Sequence, residues 1–458
     1  MAAESNSRDA DENSNKISRE QWKVMFISGM GFFTDAYDLF IIGVVMAMIK
    51  PEWHPSPLAV GAVTSTALLA SAVGAIFFGR VADLLGRKRI YGYEVLVLAI
   101  GAIASAFSFN IGMLIAFRII LGIGIGGDYP VSATIMSEFA GKCSRGMLVS
   151  LVFAMQAAGL IVGPLLSAGL LATHLPHDYV WRILLAFGAV PALAVFQLRR
   201  KMGETPAFVK ANEDAKAKEH KVSFGEGYGE LKTNRILLLR LFGASAAWFL
   251  MDFAYYGNTV SSPLVLAAIT PHQDLLKHTL LQLLIFACAA VPGYFVAAVT
   301  MDKIGRKVIQ TVGFGVMALA FGAIGLVPGI EKMVVPFLII YGLSYFFTEF
   351  GPNATTFIYP AEIFPVQTRT TAHGIAAATG KVGAFIGVFL FPIFMHNYGL
   401  GGAELAAAGV SVLGVGVTIF CLPEPMGKSL EDLTAEAREG VGPLQGGGLT
   451  GAASASGG

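Results

Sequence analysis

Apolar residues run along this chain in blocks of about 20, the length a helix needs to cross hydrocarbon. The blocks fall near 24–48, 58–79, 90–109, 112–136, 147–173, 180–198, 236–260, 278–300, 308–328, 333–357, 371–395 and 401–422, and they predict twelve spanning helices. The first, seventh, tenth and eleventh blocks carry charged residues inside. The alternating segments of about ten residues that mark a membrane β-barrel do not occur.

The polar breaks between blocks orient the chain. One side holds Arg80, Arg87, Lys88, Arg89, Lys142, Arg145, Lys303, Arg306, Lys307, Arg369 and the loop from Arg199 to Lys232. The other holds Lys50, Arg182, Lys277 and Lys332. By the excess of cations in short loops, the first side is the cytoplasm, and an even number of spans puts both termini there. The expected organisation is a cytoplasmic tail over 1–22, a six-helix bundle over 23–198 and a cytoplasmic linker over 199–234. A second six-helix bundle over 235–422 and a cytoplasmic tail over 423–458 complete it. The polar start, Met1 to Glu20, and the Gly-, Ser- and Ala-rich end, Gly440 to Gly458, read as flexible.

Composition agrees with the pattern. Of 458 residues, 55% are hydrophobic and 14% charged, against roughly a quarter charged in soluble domains. Mean hydropathy is +0.65. So few charges do not cover a water-exposed globule, which places the chain in a lipid bilayer. The net charge of +1 offers no footprint for a polyanion, so nucleic acid is not an expected partner. Cys143, Cys288 and Cys421 are too scattered for a disulfide framework or a metal site. No metal cluster, nucleophile elbow or nucleotide loop is found, so neither an enzyme nor a cofactor is expected.

The two halves echo each other. Asp83-Leu-Leu-Gly86-Arg87-Lys88 follows the second block and Asp302-Lys-Ile-Gly305-Arg306-Lys307 the eighth, at an offset of 219 residues. Glu138 and Arg145 correspond to Glu362 and Arg369 at an offset of 224. Asp35 corresponds to Asp252 at 217, and Gln156 to Lys381 at 225. A slowly drifting offset with repeated chemistry indicates duplication. Two parallel six-helix halves with a midplane site between them is a transporter plan. The loop charges Asp83, Arg87, Glu138, Arg145, Asp302, Arg306, Glu362 and Arg369 are candidates for a gate. Such pairs can latch one state of a rocking protein and release in the other.

Charges inside spans are costly and mark functional candidates. Asp128 and Tyr129 follow Gly122, Gly124, Gly126 and Gly127, glycines that let a neighbouring helix or a ligand approach the backbone. Trp248, Asp252 and Tyr256 recur every four residues and share one helix face, a cavity wall. Lys381, between Gly380 and Gly383, is too deep to snorkel and needs a buried anion, with Asp35 or Asp128 as the candidate partner. Gln156 and Asn353 add amide donors. Asp35 and Asp38, three residues apart, are a carboxylate pair suited to handling protons. Glu94 and Arg118 can pair between the third and fourth spans or take part in proton handling, Arg240 is expected to snorkel, and His373 to be a helix-packing residue. These residues alone describe a proton-coupled carrier of a small polar or anionic solute.

The loop motifs, the repeated Glu-x6-Arg pairs and Trp181-Arg182 resemble the sugar-porter-like branch of the major facilitator superfamily. The run Gly126-Gly-Asp-Tyr-Pro-Val-Ser-Ala-Thr-Ile-Met-Ser-Glu138 is similar to the signature of its inorganic phosphate:proton symporters, with Val131 where Leu is usual. Gly31-Phe-Phe-Thr-Asp-Ala-Tyr-Asp38, Phe350-Gly-Pro-Asn-Ala-Thr-Thr-Phe357 and Thr379-Gly-Lys-Val-Gly-Ala384 match that family too. The resemblance implies an all-α membrane protein of twelve helices in two pseudo-symmetric six-helix bundles, working as a monomer in the plasma membrane. It implies inorganic phosphate and protons as partners. It implies that Asp35 and Asp38 handle protons, and that Asp128, Tyr129, Gln156, Trp248, Asp252, Tyr256, Asn353 and Lys381 line the substrate site. The alternatives are a proton-coupled sugar or organic-anion porter of the same fold, or a phosphate receptor without net transport.

Overall fold

The structure, a computed structural model, describes residues 17–140, 144–173, 175–217, 226–272 and 275–440. Lys142, Cys143 and parts of both expected tails, 1–16 and 441–458, lie outside the described residues.

Twelve helices among the described residues are long and apolar enough to cross a membrane. In chain order they are α1 (Arg19–Met46), α2 (Ala59–Leu85), α3 (Arg87–Ala106), α4 (Ile111–Phe139), α5 (Arg145–Ser167) and α6 (His177–Arg200). The second half holds α7 (Arg235–Ser262), α8 (Leu280–Ile304), α9 (Arg306–Leu326), α10 (Val334–Glu362), α11 (Arg369–Phe391) and α12 (Ile393–Cys421). The expected number of spans is therefore found. Helices satisfy every backbone polar group internally, which is why apolar runs of this length adopt them in lipid. Their starts follow local chemistry: Ser56 caps a helix with Pro57 in its first turn, and Asn110 and Asn234 accept N–H bonds at the starts of α4 and α7. Large apolar side chains such as Phe77, Leu319, Val335 and Phe420 point outward, as a lipid-facing surface requires.

The fold is two six-helix bundles meeting along two equivalent crossings, α2 with α11 and α5 with α8. Glycine makes the first crossing close. A Cβ on Gly79 would lie 2.7 Å from the Thr370 carbonyl oxygen, and one on Gly374 2.3 Å from that of Ala75. Gly86 and Gly305 have φ of 97° and 94°, a region that L side chains rarely adopt, so each turns the chain within one residue from α2 into α3 and from α8 into α9. Repeated loop motifs thus build repeated geometry. The end of the molecule carrying these loops is the basic face.

Three local readings change. The sixth span runs on to Arg200, so Arg199, read from the sequence as the first cation of the linker, is fully buried inside α6. The segment after α12 continues as a helix, Leu430–Arg438, with a Ser429/Asp432 capping box and with Leu433 and Ala437 buried. Arg240 does not snorkel. It is buried beneath that helix and donates to the carbonyls of Ile363 (3.0 Å) and Leu433 (2.9 Å).

Candidate functional site

The mid-membrane centre is built from α7 and α11 of one half and α4 of the other. The four-residue spacing on α7 points Trp248, Asp252 and Tyr256 along one stripe. Glycines bring α11 against it: a Cβ on Gly380 would lie 2.4 Å from the Trp248 ring, and one on Gly383 2.4 Å from the Phe249 carbonyl oxygen. Lys381 then reaches across. Its ammonium donates to Asp252 Oδ2 and to the Tyr256 hydroxyl, both at 3.1 Å. It also lies 4.6 Å from the ring centres of Tyr256 and Tyr129, a cation–π arrangement. Tyr129 is the contribution of α4, and its ring packs on Phe32, Phe357 and Trp248. The partner of Lys381 is therefore Asp252, where the sequence offered Asp35 or Asp128.

Asp128, adjacent to Tyr129, turns to a different cluster. Both its carboxylate oxygens accept from the Arg199 guanidinium, at 2.7 and 3.1 Å, and Oδ1 also accepts from Ser132 at 2.6 Å. Arg199 donates to Glu94 as well, at 3.0 Å, and stacks 4.3 Å over the Tyr91 ring. Glu94 in turn accepts from the Gly92 amide. Gly31 of α1 covers this triad so closely that a Cβ there would overlap Asp128 Oδ2. The Glu94–Arg118 pair offered by the sequence is thus replaced by Glu94–Arg199. Arg118 donates instead to the Asp38 backbone carbonyl at 3.0 Å.

Asp35 and Asp38 are buried, and none of their four carboxylate oxygens has a hydrogen-bond partner. Asp35 lies within electrostatic reach of Asp128, Arg199, Asp38 and Lys381, and so stands between the two clusters. Asp38 faces Arg118. Gln156 is buried with its Nε2 unpartnered. Asn353 donates to the Tyr294 hydroxyl at 3.0 Å and to Glu349. His373 packs between Trp248 and Phe357 and donates to the Phe357 carbonyl at 3.0 Å. Three or more His, Cys, Asp or Glu placed to hold a metal do not occur among the described residues.

At the basic face the loop charges join the bundles. Arg87 pairs with Asp83 (3.1 Å) and Glu138 (3.2 Å), and Arg306 with Asp302 and Glu362 (both 2.8 Å). Each Asp also reaches the other half. Asp83 accepts from the Thr370 and Thr371 amides at the start of α11, at 3.3 and 2.6 Å. Asp302 accepts from the Gly146 and Met147 amides at the start of α5, at 3.0 and 2.8 Å. A carboxylate at a helix N-terminus satisfies orphan N–H groups and meets the positive end of the helix dipole. Arg369 pairs with Glu138 at 2.9 Å, and Arg145 donates to the Lys428 carbonyl at 3.4 Å.

This arrangement was then compared with known proteins. Residues 23–437 match the family described as "Sugar (and other) transporter". The chain belongs to that family. The two all-α bundles described above have the fold of a solved major facilitator superfamily protein. Among curated members, the chain is 36% identical to the "Probable inorganic phosphate transporter 1-6" of Arabidopsis thaliana, over 92% of this chain and 95% of that one. It is 37% identical to the "Inorganic phosphate transporter 1-6" of Oryza sativa subsp. japonica, over 94% and 96%. Among solved structures, the proton:xylose symporter XylE bound to 6-bromo-6-deoxy-D-glucose superposes with a TM-score of 0.79 at 19% identity, over 90% of this chain and 98% of that one. The present chain, with twelve apolar helices and transporter relatives, is an integral multi-pass membrane protein and a transporter.

Sequence reasoning missed three buried ionisable residues. Arg199 was hidden in the cationic run Arg199-Arg200-Lys201, which reads as loop. Glu349 interrupts the apolar run of α10, and Glu404 lies close to a Gly-Gly pair that reads as a span end. Both glutamates carry the same signal, a charge inside a span, that singled out Asp252.

Proposed function

We propose that this protein is a proton-coupled inorganic phosphate symporter that works by alternating access, with one substrate site between the bundles. The observation that carries the reading is Lys381, held at mid-membrane by Asp252 and Tyr256 of its own half and by the Tyr129 ring of the other. The names of the curated relatives, inorganic phosphate transporters of two plants, support phosphate as the anion.

The chemistry suits dihydrogen phosphate. Its P–OH groups donate to a carboxylate such as Asp252. Its bare oxygens accept from Lys381, Trp248, Tyr129, Tyr256, Gln156 and Asn353. Sulfate, fully ionised, has no proton to offer Asp252 and meets repulsion. In the packed state the ammonium is satisfied by Asp252 and Tyr256, and an entering anion exchanges those contacts for its own oxygens. Asp35 and Asp38, buried without partners, are the proton carriers of this reading. Asp35 stands within reach of Asp128, Arg199 and Lys381, so a proton on it alters the field at both clusters.

The gate follows from the basic face. Asp83 and Asp302 cap helix starts of the opposite half and hold that face closed. Opening it breaks both caps together, which makes the two faces alternate. By the excess of cations, the basic face is cytoplasmic, both termini lie there, and the protein works as a monomer in the cell membrane.

Purified protein in liposomes, given labelled phosphate, sulfate or glucose with and without an imposed pH gradient, tests the reading. Phosphate alone accumulates, and a protonophore abolishes the accumulation. Sulfate uptake equal to phosphate uptake, or indifference to the gradient, refutes it. Asp35→Asn weakens gradient-driven uptake more than phosphate exchange between the two sides. Equal loss of both removes Asp35 from proton coupling.

A further inference from the structure

The half built from α7 to α12 buries two more carboxylates that the cycle above does not use. Tyr341, Tyr345, Glu349 and Asn353 recur every four residues along α10, and Asn353 hydrogen-bonds Glu349. The stripe leads from the end of α10 opposite the basic face to the central site. Glu349 opens an irregular turn, Glu349–Asn353, where Gly351 leaves helical geometry (φ −99°, ψ −114°). Its side chain is fully buried, with Oε1 unpartnered. The groups facing it are Tyr255 and Asp252 of α7, Tyr294 of α8, and Tyr345 and Asn353 of its own helix.

Glu404 of α12 is fully buried too. Its Oε2 accepts from Asn258 of α7 at 3.4 Å, and its Oε1 is unpartnered. The titratable groups facing it are the phenols of Tyr341 and Tyr345. Those two hydroxyls are 3.3 Å apart, and Tyr345 is within electrostatic reach of both glutamates. Beside Tyr345 lies a void of about 10 Å³ lined by Tyr255, Asn258, Phe321, Ser344, Tyr345 and Thr348. Asn258 Oδ1, on its wall, has no hydrogen-bond partner. A void this small has room for a single water at most, and the unpartnered Asn258 oxygen on its wall gives that water an acceptor.

We propose that Glu404, the Tyr341 and Tyr345 hydroxyls with a water in this void, and Glu349 form a second proton relay, which delivers a proton to the phosphate site separately from Asp35 and Asp38. The proposal rests on the proton-coupled reading. A proton taken up by Glu404 is passed on as each hydroxyl accepts one proton and releases another. Glu404 returns to carboxylate and Glu349 becomes the acid. An ionised Glu349 holds the Asn353 amide. A protonated Glu349 is a weaker acceptor, frees that N–H for a phosphate oxygen and removes a negative charge beside the anion. Proton loading and phosphate binding are thereby linked. A monovalent anion entering against a negative-inside potential is opposed by about 2.3 kcal/mol per 100 mV; one proton cancels that charge, and each further proton adds the potential to the driving force.

The test is the proton-to-phosphate ratio, read from the reversal potential of phosphate flux in proteoliposomes, beside phosphate counterflow at equal pH. In Glu404→Gln the ratio falls by one proton and counterflow persists. Tyr345→Phe keeps the ring that packs on Phe286, removes only the linking hydroxyl, and lowers the ratio in the same way. An unchanged ratio in Tyr345→Phe and Glu404→Gln, with counterflow intact, overturns the relay. Absence of phosphate counterflow in the unaltered protein instead refutes the phosphate reading itself.

Discussion

In each half of the molecule a buried cation is paired with a carboxylate, Arg199 in one and Lys381 in the other, and the two are held differently. Arg199 is clamped by two carboxylates, forks onto both oxygens of Asp128, and lies on the Tyr91 ring. Lys381 faces one carboxylate, one phenol and two ring faces. A planar guanidinium matched to a carboxylate fork is pre-organised, whereas an ammonium is a point charge on a flexible stem that changes partners readily. Duplication supplied the same helical frame to both halves, and the cation chosen in each separates a fixed cluster from an exchangeable one. The N-terminal cluster has more negative than positive groups and is complete without a ligand. The C-terminal one pairs a single cation with a single carboxylate, and an anion can replace the carboxylate.

The variant that strikes hardest at this contrast is Arg199→Ala. It leaves Asp128 and Glu94 facing each other in a buried site, where removing one partner of an ion pair costs about 3–5 kcal/mol. Thermal unfolding of the detergent-solubilised protein shows a large loss, recovered in part by adding Asp128→Asn. A stable Arg199→Ala protein that has lost only phosphate binding would reverse the assignment of the two clusters. Lys381→Gln shows the opposite balance. Calorimetry finds phosphate binding weakened about 100-fold, or ~2.8 kcal/mol, with a smaller fall in melting temperature than Arg199→Ala. Asp252→Asn comes next, with binding reduced about tenfold, or ~1.4 kcal/mol. Unchanged calorimetric binding would remove Asp252 from the site.

Two further variants probe the basic face. Asp83→Asn keeps a hydrogen-bonding side chain but takes the charge off the start of α11, a loss of about 0.3–1 kcal/mol, and leaves the buried Arg87 with Glu138 as its remaining carboxylate. Spin-label distances across that face lengthen as the open state gains population, and unchanged distances would show that the cap is not a latch. Lys210→Ala has the smallest effect. Its partner Glu431 is 2.8 Å away, but both side chains are more than two-thirds exposed, and such pairs contribute little. Uptake and melting temperature stay as they were.

The spans were legible because lipid imposes one rule on every segment, a run of about 20 apolar residues. The repeat was legible because duplication kept the Asp-x-x-Gly-Arg-Lys chemistry at nearly constant spacing. The α7 stripe was legible because a helix brings residues four apart onto one face. Pairings across helices were not legible in the same way. Lys381 had the buried Asp35, Asp38, Asp128 and Asp252 to choose from, and the choice of Asp252 depends on Gly380 and Gly383 admitting α11 against α7. Arg199 was invisible because a cation at a span end looks the same whether it faces water or turns inward. Glu349 and Glu404 carried a readable signal, but their link through Tyr345 joins α10 to α12 and has no counterpart in linear spacing.

The sequence by itself determined the solvent, the number of spans, the duplication and most of the charges inside the spans. Each of these follows from composition or from periodicity within a single helix. Only the tertiary structure decided which charges neutralise each other, which carboxylates are left without partners, and which helix starts are capped by the opposite half. Those outcomes depend on crossings between helices far apart in sequence. Electrostatic contacts inside a membrane act over a few ångströms and are set by how closely two backbones approach.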